Sequence, residues 1–551
     1  MKKFVKGLLI FILLTLNLII TSCGLPEKKV ENAYRALIKL INFDYVVDDL
    51  YLPIEIDDVL ISYNSYNKEI LSDDGKITQS ETDQNVELEV IFELDDHKFI
   101  KIIEVTIIKE FSEFNEPFLP KDLILLEEML IQERIGIGLK TEGEVKALII
   151  PIDFVDYRFN NNQIERLDKA FFGTEQDTGW ESVKTYYKKS SYDKLSFSGT
   201  ITEVYQSSKK SSFYTALYNN GEDADYVLIK EALEYLDPKI NFSDYDLNKD
   251  GYIDALYFIY STPVYYGGSH FFDKNQSDLW WAYVYQYYTD EIELYDGVEA
   301  YYYLWAGYDF MDEAFTEEGF TDQQININAA TYIHETGHML GLEDYYDYDD
   351  SVGPKGGLGG ADMMDYTVGD HTSFSKIMMG WTTPYVASNE NFEIKIRPFE
   401  SSGDVILVTN DWKDSFFDEY FLIDYYTPTG LNEGHAGYWG LFSISGIRIY
   451  HVNSVVDPEV GKQKNEDGYF SVFSFNNSDT KNRLISLIEA DGNNSIPRTH
   501  FADDDDLFQV GQVFGGNVHS NYRFHNKEQI NFKIHIVSIT PQEATIRIIF
   551  N

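Results

Sequence analysis

The chain is 551 residues long, which predicts three or four domains, and its hydrophobic content of 44% indicates a folding chain and not a disordered acidic tail. Its formal net charge of −48 comes from acidic residues spread along the sequence, and such a surface repels phosphate backbones. The composition therefore argues against nucleic-acid partners, and solubility or an attraction for divalent cations accounts for the charge.

The N-terminus has the pattern of an export signal. Three lysines within the first six residues precede an apolar run from Gly7 to Thr21, which is short for a membrane span. The run ends in the sequence ITSC, which resembles a bacterial lipobox, and Cys23 is the single cysteine of the chain. We predict a lipoprotein signal peptide at residues 1–22 and a lipid anchor on Cys23 in the cell membrane at the bacterial surface. The alternative is an uncleaved signal anchor, and both interpretations place residues 24–551 outside the cytoplasm.

Residues 23–110 are predicted to form a small β-sandwich. From residue 28 onwards, apolar and polar residues alternate in short runs such as VLISYNSYN, VELEVIFEL and FIKIIEVTII. Leu52-Pro53 and the stretches SYNS and DGKIT resemble the atrophied immunoglobulin-like domains of bacterial surface proteins, which implies a spacer or binding module. Residues 111–143 change to helical spacing in LILLEEMLIQERI, and we interpret them as a connector.

Residues 144–384 alternate strand-like and helix-like patterns. The strand KALIIPIDF, the stretch WESVKTYYKKSSYDKLSFSG, the helix ADYVLIKEALEYL and the strand ALYFIYS precede a helix that carries HETGH. This order predicts a central α/β domain. Residues 385–551 are rich in strand patterns and predict a β-rich C-terminal domain.

The stretch HETGHMLGLED predicts a metal site. His334 and His338 are four residues apart, so a helix places both rings on one face, where they can bind one zinc ion and leave room for a third ligand and a water. Glu335 is placed to accept a proton from that water as it attacks a carbonyl, and to pass the proton to the leaving amine. Gly341 allows the helix to end, so that Asp344 can complete the site.

The motif H-E-x-x-H-x-x-G-x-x-D resembles that of the metzincin peptidases, in the variant with aspartate as third ligand. Together with KALIIPIDF, SVKTYYKKSSYDKLSFSG and ADMMDY, it is similar to the immune inhibitor A-like bacterial metalloproteases over about residues 146–384. The resemblance implies a metzincin-like catalytic domain with zinc on His334, His338 and Asp344 and with Glu335 as general base.

The resemblance also implies roles for two residues that follow the motif. Met364 is expected to form the methionine turn beneath the metal, and Tyr366 to donate a hydrogen bond to the developing oxyanion. A packed aromatic is the alternative for Tyr366, and Asp362 or Asp365 are alternative third ligands. The chain departs from the family in having an immunoglobulin-like module where a propeptide is expected, and a single cysteine at position 23 excludes a cysteine-based latch.

A second cation site is predicted at the sequence DLNKDGYID. It has oxygen ligands at alternate positions and a glycine at the sharp turn, as in the first three-quarters of an EF-hand calcium loop. The twelfth position is Tyr257 and not glutamate, so the bidentate ligand must come from elsewhere or be absent. An Asx turn without an ion is the alternative. The predicted calcium ligands are Asp246, Asn248, Asp250, Tyr252 and Asp254.

These features together predict an exported, lipid-anchored zinc endopeptidase that acts on protein or peptide substrates. Two alternatives remain: a non-catalytic surface adhesin with a structural zinc, which would not need Glu335, and a zinc hydrolase of a non-peptide amide or ester, which would use the same metal chemistry. Neither His371 nor His451 has the spacing to join the helical histidine pair, so both are predicted to be dispensable for this zinc. The natural substrate and the oligomeric state are not encoded in any recognisable pattern.

Overall fold

The computed structural model describes residues 25–107, 112–113, 139–264, 277–287, 293–311, 327–437, 440–456, 473–516 and 519–550, apart from 42, 44, 45, 47, 48, 79, 81–83 and 96. The predicted signal peptide, Cys23 and most of the predicted connector lie outside these residues. The chain divides into two compact units, Met1–Ser112 and Glu113–Asn551. No helix in the described part of the chain is long and apolar enough to cross a membrane.

The N-terminal unit consists of one helix and one antiparallel sheet. The sheet runs in the order β1-β2-β3-β4, and helix α1 contributes Val30, Ala33 and Leu37 to the core beneath it. The elements are α1 (Leu25–Leu40), β1 (Glu55–Ile56), β2 (Val59–Ser65), β3 (Gln84–Leu94) and β4 (His97–Ile107).

The predicted β-sandwich is therefore wrong for the described residues of this unit. Val30, Ala33 and Leu37 follow helical spacing, and each is at most 3% exposed because together they cover one face of the sheet. On the opposite face Leu60, Ile100 and Ile102 are more than half exposed. The strands follow the predicted period-two pattern, but the layer packed on them is a helix.

The central sheet is mainly parallel, in the order β10-β13-β9-β6-β7. Strands β7 and β9 flank β6 in parallel, β13 runs parallel to β9, and β10 is an antiparallel edge strand. The predicted alternation of strands and helices is confirmed. The strands are β6 (Gly143–Asp153), β7 (Leu195–Ile201), β8 (Tyr205–Gln206, paired with β6), β9 (Ala255–Tyr260), β10 (Tyr283–Gln286), the pair β11 (Leu294–Tyr295) and β12 (Val298–Glu299), and β13 (Tyr302–Gly307); β5 (Ser112–Glu113) precedes them.

Eight helices of the described chain surround this sheet or follow it. Their buried faces join the sheet in one hydrophobic core, in which Tyr187, Leu228 and Ile333 are fully buried. The helices are α2 (Asn161–Phe172), α3 (Glu175–Thr178), α4 (Val183–Ser190), α5 (Ser211–Asn219), α6 (Ala224–Leu236), α7 (Ala330–Leu340), α8 (Met363–Tyr366) and α9 (Ser373–Met378).

The C-terminal region contains two further sheets, as its strand-rich sequence predicts. One has the order β14-β16-β17-β18-β19, and the other includes β20-β21-β22-β15. The elements are β14 (Tyr385–Ala387), β15 (Phe392–Ile396), α10 (Phe399–Ser402), β16 (Val405–Val408), β17 (Glu419–Tyr426), β18 (Gly446–Asn453), β19 (Ile485–Leu487), α11 (Ile496–Thr499), β20 (Val513–Phe514), β21 (Phe532–Ile539) and β22 (Ala544–Phe550).

The first of these sheets has a core on each side. Phe421 and Ile449 face the second sheet, whereas Leu422 and Tyr450 on the opposite side belong to the core of the central sheet. Alternate residues of a strand point to opposite faces, so β17 and β18 serve both cores. The segments predicted as separate domains at residues 144–384 and 385–551 thus lie in one compact unit.

Candidate metal centre

Helix α7 is held rigidly from several sides. All residues from Tyr332 to Leu340 are buried, although the sequence includes two histidines and a glutamate. The hydroxyl of Tyr187 donates to the carbonyl of Ile333 at 2.6 Å, and the side-chain oxygen of Asn328 accepts the Ala330 N–H at 2.9 Å at the start of the helix. Side chains on such a helix are fixed in position before any ligand binds.

The helix ends at Gly341, as predicted. This glycine has φ = 105°, in the left-handed region, and its N–H donates to the carbonyl of His338 at 2.9 Å. The N–H of Leu342 then donates to the carbonyl of Gly337 at 3.0 Å, which turns the chain back over the helix. This reversal brings Asp344 to the histidine pair.

Three possible ligand atoms converge at this point. The Oδ1 atom of Asp344 lies 3.1 Å from Nε2 of His334 and 3.2 Å from Nε2 of His338. Two ligands at about 2.1 Å from a tetrahedral zinc ion are roughly 3.4 Å apart, so these separations fit the ion closely. The structure therefore brings together the three residues that were predicted as ligands.

Hydrogen bonds fix the orientation of both imidazole rings. Nδ1 of His334 donates to the carbonyl of Met363 at 2.7 Å, and Nδ1 of His338 donates to the carbonyl of Leu342 at 2.9 Å. A carbonyl only accepts, so the proton of each neutral ring is on Nδ1 and the lone pair is on Nε2. Backbone partners of this kind hold a metal-binding histidine in the tautomer it needs.

The electrostatics of the group call for a cation. The Nε2 atoms of both histidines face the Oδ1 atom of Asp344, which is buried. Burial opposes charge on His338, but the Asp344 carboxylate outweighs burial and raises the pKa of His338 to about 9. The same attraction from His338 lowers the pKa of Asp344 despite its burial. A zinc ion satisfies all three atoms at once, so the donor set fits zinc.

Glu335 lies on the same helix between the two histidines and is 7% exposed. Burial raises the pKa of Glu335, and the two histidines act in the opposite direction. A carboxylate whose pKa is raised toward neutrality is a better proton acceptor at neutral pH. Its position next to the ligands and its environment both suit a general base.

Met364 packs directly beneath the helix. It is fully buried, and a β-carbon on Gly337 would overlap its Sδ atom, so any larger residue at position 337 would displace the Met364 side chain. The carbonyl of Met364 accepts the N–H of Tyr345, next to the third ligand, at 2.9 Å. The role of Met364 in a methionine turn stays a prediction.

Asp362 and Asp365 are engaged elsewhere and do not join the histidines. Asp362 accepts the N–H groups of Met364 at 2.6 Å and Thr372 at 2.5 Å. Asp365 accepts those of Leu358 and Gly360, both at 2.8 Å. Burial raises the pKa of each carboxyl to about 7. Their contacts are those of residues that shape the backbone, which favours Asp344 as the third ligand.

Tyr366 is 39% exposed, and its ring contacts Phe501 edge-on with 5.3 Å between ring centroids. Its role at an oxyanion stays a prediction. His371 and His451 do not join the group formed by His334, His338 and Asp344.

The loop from Asp246 to Asp254 is closed by its own side chains. Asp246 accepts the N–H groups of Asp250 at 3.2 Å and Gly251 at 3.1 Å, and Asp254 accepts that of Leu247 at 3.0 Å. Gly251 has φ = 95°, as the sharp turn requires. Burial raises the pKa of Asp254 to about 6, and Asp250 contributes in the same direction. Calcium would relieve this repulsion, but an Asx turn uses the same hydrogen bonds.

The sequence did not reveal that the C-terminal region supports the third ligand. The segment after Asp344 is held by side chains more than a hundred residues away. Asn477 donates to the carbonyl of Tyr345 at 2.8 Å, and Arg483 donates to that of Gly357 at 2.6 Å. The N–H of Ala502 donates to the carbonyl of Gly359 at 2.7 Å. We call residues 344–360 the ligand-bearing loop.

A buried histidine–histidine–aspartate group next to a buried glutamate, on a helix packed against a mainly parallel sheet, is the arrangement of a zinc metallopeptidase. Residues 137–356 match the family described as immune inhibitor A peptidase M6, catalytic domain. The resemblance expected from the sequence is thus confirmed, and this segment carries a metallopeptidase catalytic domain.

Two relatives illustrate the extent of the similarity. The pre-pro-metalloprotease PrtV of Vibrio cholerae is 25% identical over 255 residues, which cover 39% of this chain and 26% of PrtV. Immune inhibitor A of Bacillus thuringiensis subsp. alesti is 25% identical over 244 residues, which cover 37% of this chain and 34% of that protein. The chain therefore matches about a quarter to a third of the length of these relatives.

Proposed function

We propose that this protein is an exported zinc endopeptidase, anchored in the bacterial cell membrane by a lipid on Cys23, that hydrolyses peptide bonds in protein substrates. The observation that carries the proposal is the convergence of two oriented imidazoles and one carboxylate, with 3.1 and 3.2 Å between ligand atoms, beside the buried Glu335. The names of the relatives, a metalloprotease and an immune inhibitor A, support the same activity.

Zinc, when bound by His334, His338 and Asp344, supplies a Lewis acid for a water and for the substrate carbonyl. Glu335 takes the proton of the attacking water, and its raised pKa lets it hold that proton until the leaving amine accepts it. Met364 keeps the helix in place from below. We assign the oxyanion hydrogen bond to Tyr366, so Tyr366→Phe should lower kcat while zinc content stays the same.

The deciding experiment compares Glu335→Gln with His338→Ala in residues 24–551. Glu335→Gln keeps the three ligands, so zinc content and the melting curve should match those of the wild type. Loss of a general base typically lowers the rate by about 10²- to 10⁴-fold. His338→Ala removes a ligand and should lose both this zinc and the activity.

Digestion of casein is the readout, and phenanthroline should abolish it. A Glu335→Gln variant that keeps near-full peptidase activity would show that another group is the base. A wild type that binds zinc without cleaving casein would favour the adhesin, or, if it turns over amide or ester model compounds, the non-peptide hydrolase.

We also propose that calcium binds the loop from Asp246 to Asp254. The alternating oxygens support it, as does the pKa of Asp254, which burial, with a smaller contribution from Asp250, raises to about 6. The ion would act on stability, at a distance from the chemistry.

A further inference from the structure

A second group of metal-ligand side chains lies in the C-terminal region. Strands β17 and β18 are antiparallel, with Glu419 opposite Asn453 and Phe421 opposite His451. Glu419 and His451 are thus diagonal neighbours on one face of the sheet. A turn closed by the bridge between Arg523 and Gln529 then places His525 beside them.

The distances within this group are those of a coordination site. Nε2 of His451 lies 2.8 Å and Nδ1 of His525 lies 3.6 Å from Oε1 of Glu419. The three ligand atoms all lie within 4.8 Å of one another. Ligand atoms around a tetrahedral zinc ion are roughly 3.4 Å apart, so the His451–Glu419 distance would have to grow by about 0.6 Å, whereas the His525–Glu419 distance already lies within about 0.2 Å of that value.

Neighbouring side chains determine which nitrogen of each imidazole carries the proton. The amide of Asn453 donates to Nδ1 of His525 at 2.9 Å, so that nitrogen is unprotonated, and an ion would take the place of the Asn453 N–H at the same lone pair. Nδ1 of His451 lies 3.2 Å from the hydroxyl of Tyr522, which can accept its proton and leave Nε2 free for an ion. The His451 ring is stacked on Phe421 at 4.7 Å and is 4% exposed, so its position is fixed.

The group is reachable from outside. His451, His525 and Tyr522 line a cavity of about 400 Å³ that also contacts Pro354 of the ligand-bearing loop. An ion on three protein ligands would have its fourth position open to this space. Two imidazoles and one carboxylate select a borderline transition metal over calcium or magnesium, which prefer oxygen ligands.

We propose that Glu419, His451 and His525 form a second zinc site, separate from the catalytic one. Without an ion, the same residues would form a hydrogen-bonded triad. Nε2 of His451 and the backbone N–H of His525 would both donate to Glu419, the second at 2.6 Å. The two arrangements differ in zinc stoichiometry, so they can be told apart directly.

The test counts zinc in the full chain. The protein is stripped with a chelator and dialysed against zinc in excess calcium, and bound zinc is then measured by mass spectrometry. We expect two ions per wild-type chain, one in His525→Ala, one in His338→Ala and none in the double variant. Glu419→Gln changes no volume and should also bind one ion, which provides a second test if His525→Ala does not fold. His519→Ala is the matched control, because His519 lines the same cavity but lies outside the group, and it should keep both ions.

Two ions in both His525→Ala and Glu419→Gln, or one wild-type ion that only His338→Ala removes, would overturn the second site. A single wild-type ion that persists in His338→Ala and disappears in His525→Ala would instead overturn the catalytic zinc. The failure of one proposal is therefore distinct from the failure of the other.

Discussion

Asp370→Asn should be among the most destabilising single substitutions in this chain. Asp370 binds Lys376 of helix α9 at 2.5 Å, and the two side chains are 3% and 0% exposed. Asp370 also accepts the hydroxyl of Ser190 at 2.6 Å, and Lys376 donates to the hydroxyl of Tyr192 at 3.2 Å. Asparagine keeps the shape but leaves a buried ammonium without a counter-charge. Breaking a buried pair in this way costs about 3–5 kcal/mol.

The loss of unfolding free energy in Asp370→Asn has an upper limit, because Lys376 can lose its proton. Burial already lowers the pKa of Lys376 from its ordinary value of 10.5, against the opposing effect of Asp370. Deprotonation at pH 7 costs about 1.4 kcal/mol for each pH unit below 10.5, or about 4.8 kcal/mol, and at pH 9 only about 2 kcal/mol. A base whose pKa is lowered by folding gains stability as pH rises toward its unfolded value, so the cost of Asp370→Asn should shrink between pH 7 and pH 9.

Urea unfolding at both pH values measures this cost, and Asp370→Asn with Lys376→Met is the matched control. The double variant has no buried charge, so its stability relative to the wild type should change less with pH. A cost below about 1 kcal/mol at pH 7, or the same cost at both pH values, would refute the reasoning from a buried, charged Lys376.

Three other predictions follow from the structure. Calcium should raise the melting temperature of the wild type more than that of Asp250→Asn, because an ion that binds only the folded loop stabilises the folded state. Equal shifts in the two proteins would show that calcium binds at another site. Burial lowers the pKa of His435 to about 3, and its Nδ1 accepts the Gly369 N–H at 3.2 Å. The free energy of unfolding should therefore fall by up to about 1.4 kcal/mol per pH unit as the pH drops from 6.5 toward 3. Urea titrations should show a weaker dependence on pH in His435→Gln. A chain that ends at residue 384 lacks the side chains of β17 and β18 that belong to the core of the central sheet and should not unfold cooperatively; a sharp melting transition in circular dichroism would contradict this.

The zinc ligands could be predicted because their spacing is local. His334 and His338 share a helical face by the geometry of one turn, and Gly341 marks the end of the helix. Asp344 lies only three residues further on, so few backbone paths separate it from the histidines. The spacing within such a motif determines where its side chains lie. In the structure the Nε2 atoms of the two histidines lie 3.1 and 3.2 Å from Oδ1 of Asp344.

The N-terminal helix was missed because its pattern is short and mixed. Val30, Ala33 and Leu37 are the apolar positions of a helix, but they precede strands whose alternation is much stronger. The alternation of the strands therefore dominates the sequence pattern of the whole N-terminal segment. Helical spacing over one short segment is a weaker signal than alternation over three consecutive strands.

Contacts between segments that are far apart in the sequence could not be predicted at all. The N–H of His525 reaches Glu419 across 106 residues, and the amide of Asn477 reaches Tyr345 across 132. Of these residues only Glu419 lies in a strand, β17, and the others lie in turns or loops, so no local pattern indicates that they meet. The pattern of each strand shows that it is a strand, but not which strand lies beside it.

The hydrogen bonds that reach the ligand-bearing loop have a consequence for the order of events during synthesis. A chain is made from its N-terminus, so the histidine helix exists well before Asn477, Arg483 and Ala502, which hold the segment after Asp344. Until these late residues have folded against the loop, the third ligand is attached to a segment without its partners. The nascent protein would thus acquire a settled metal centre only after these residues have been synthesised and folded, and a shorter nascent chain would lack the contacts that hold the third ligand.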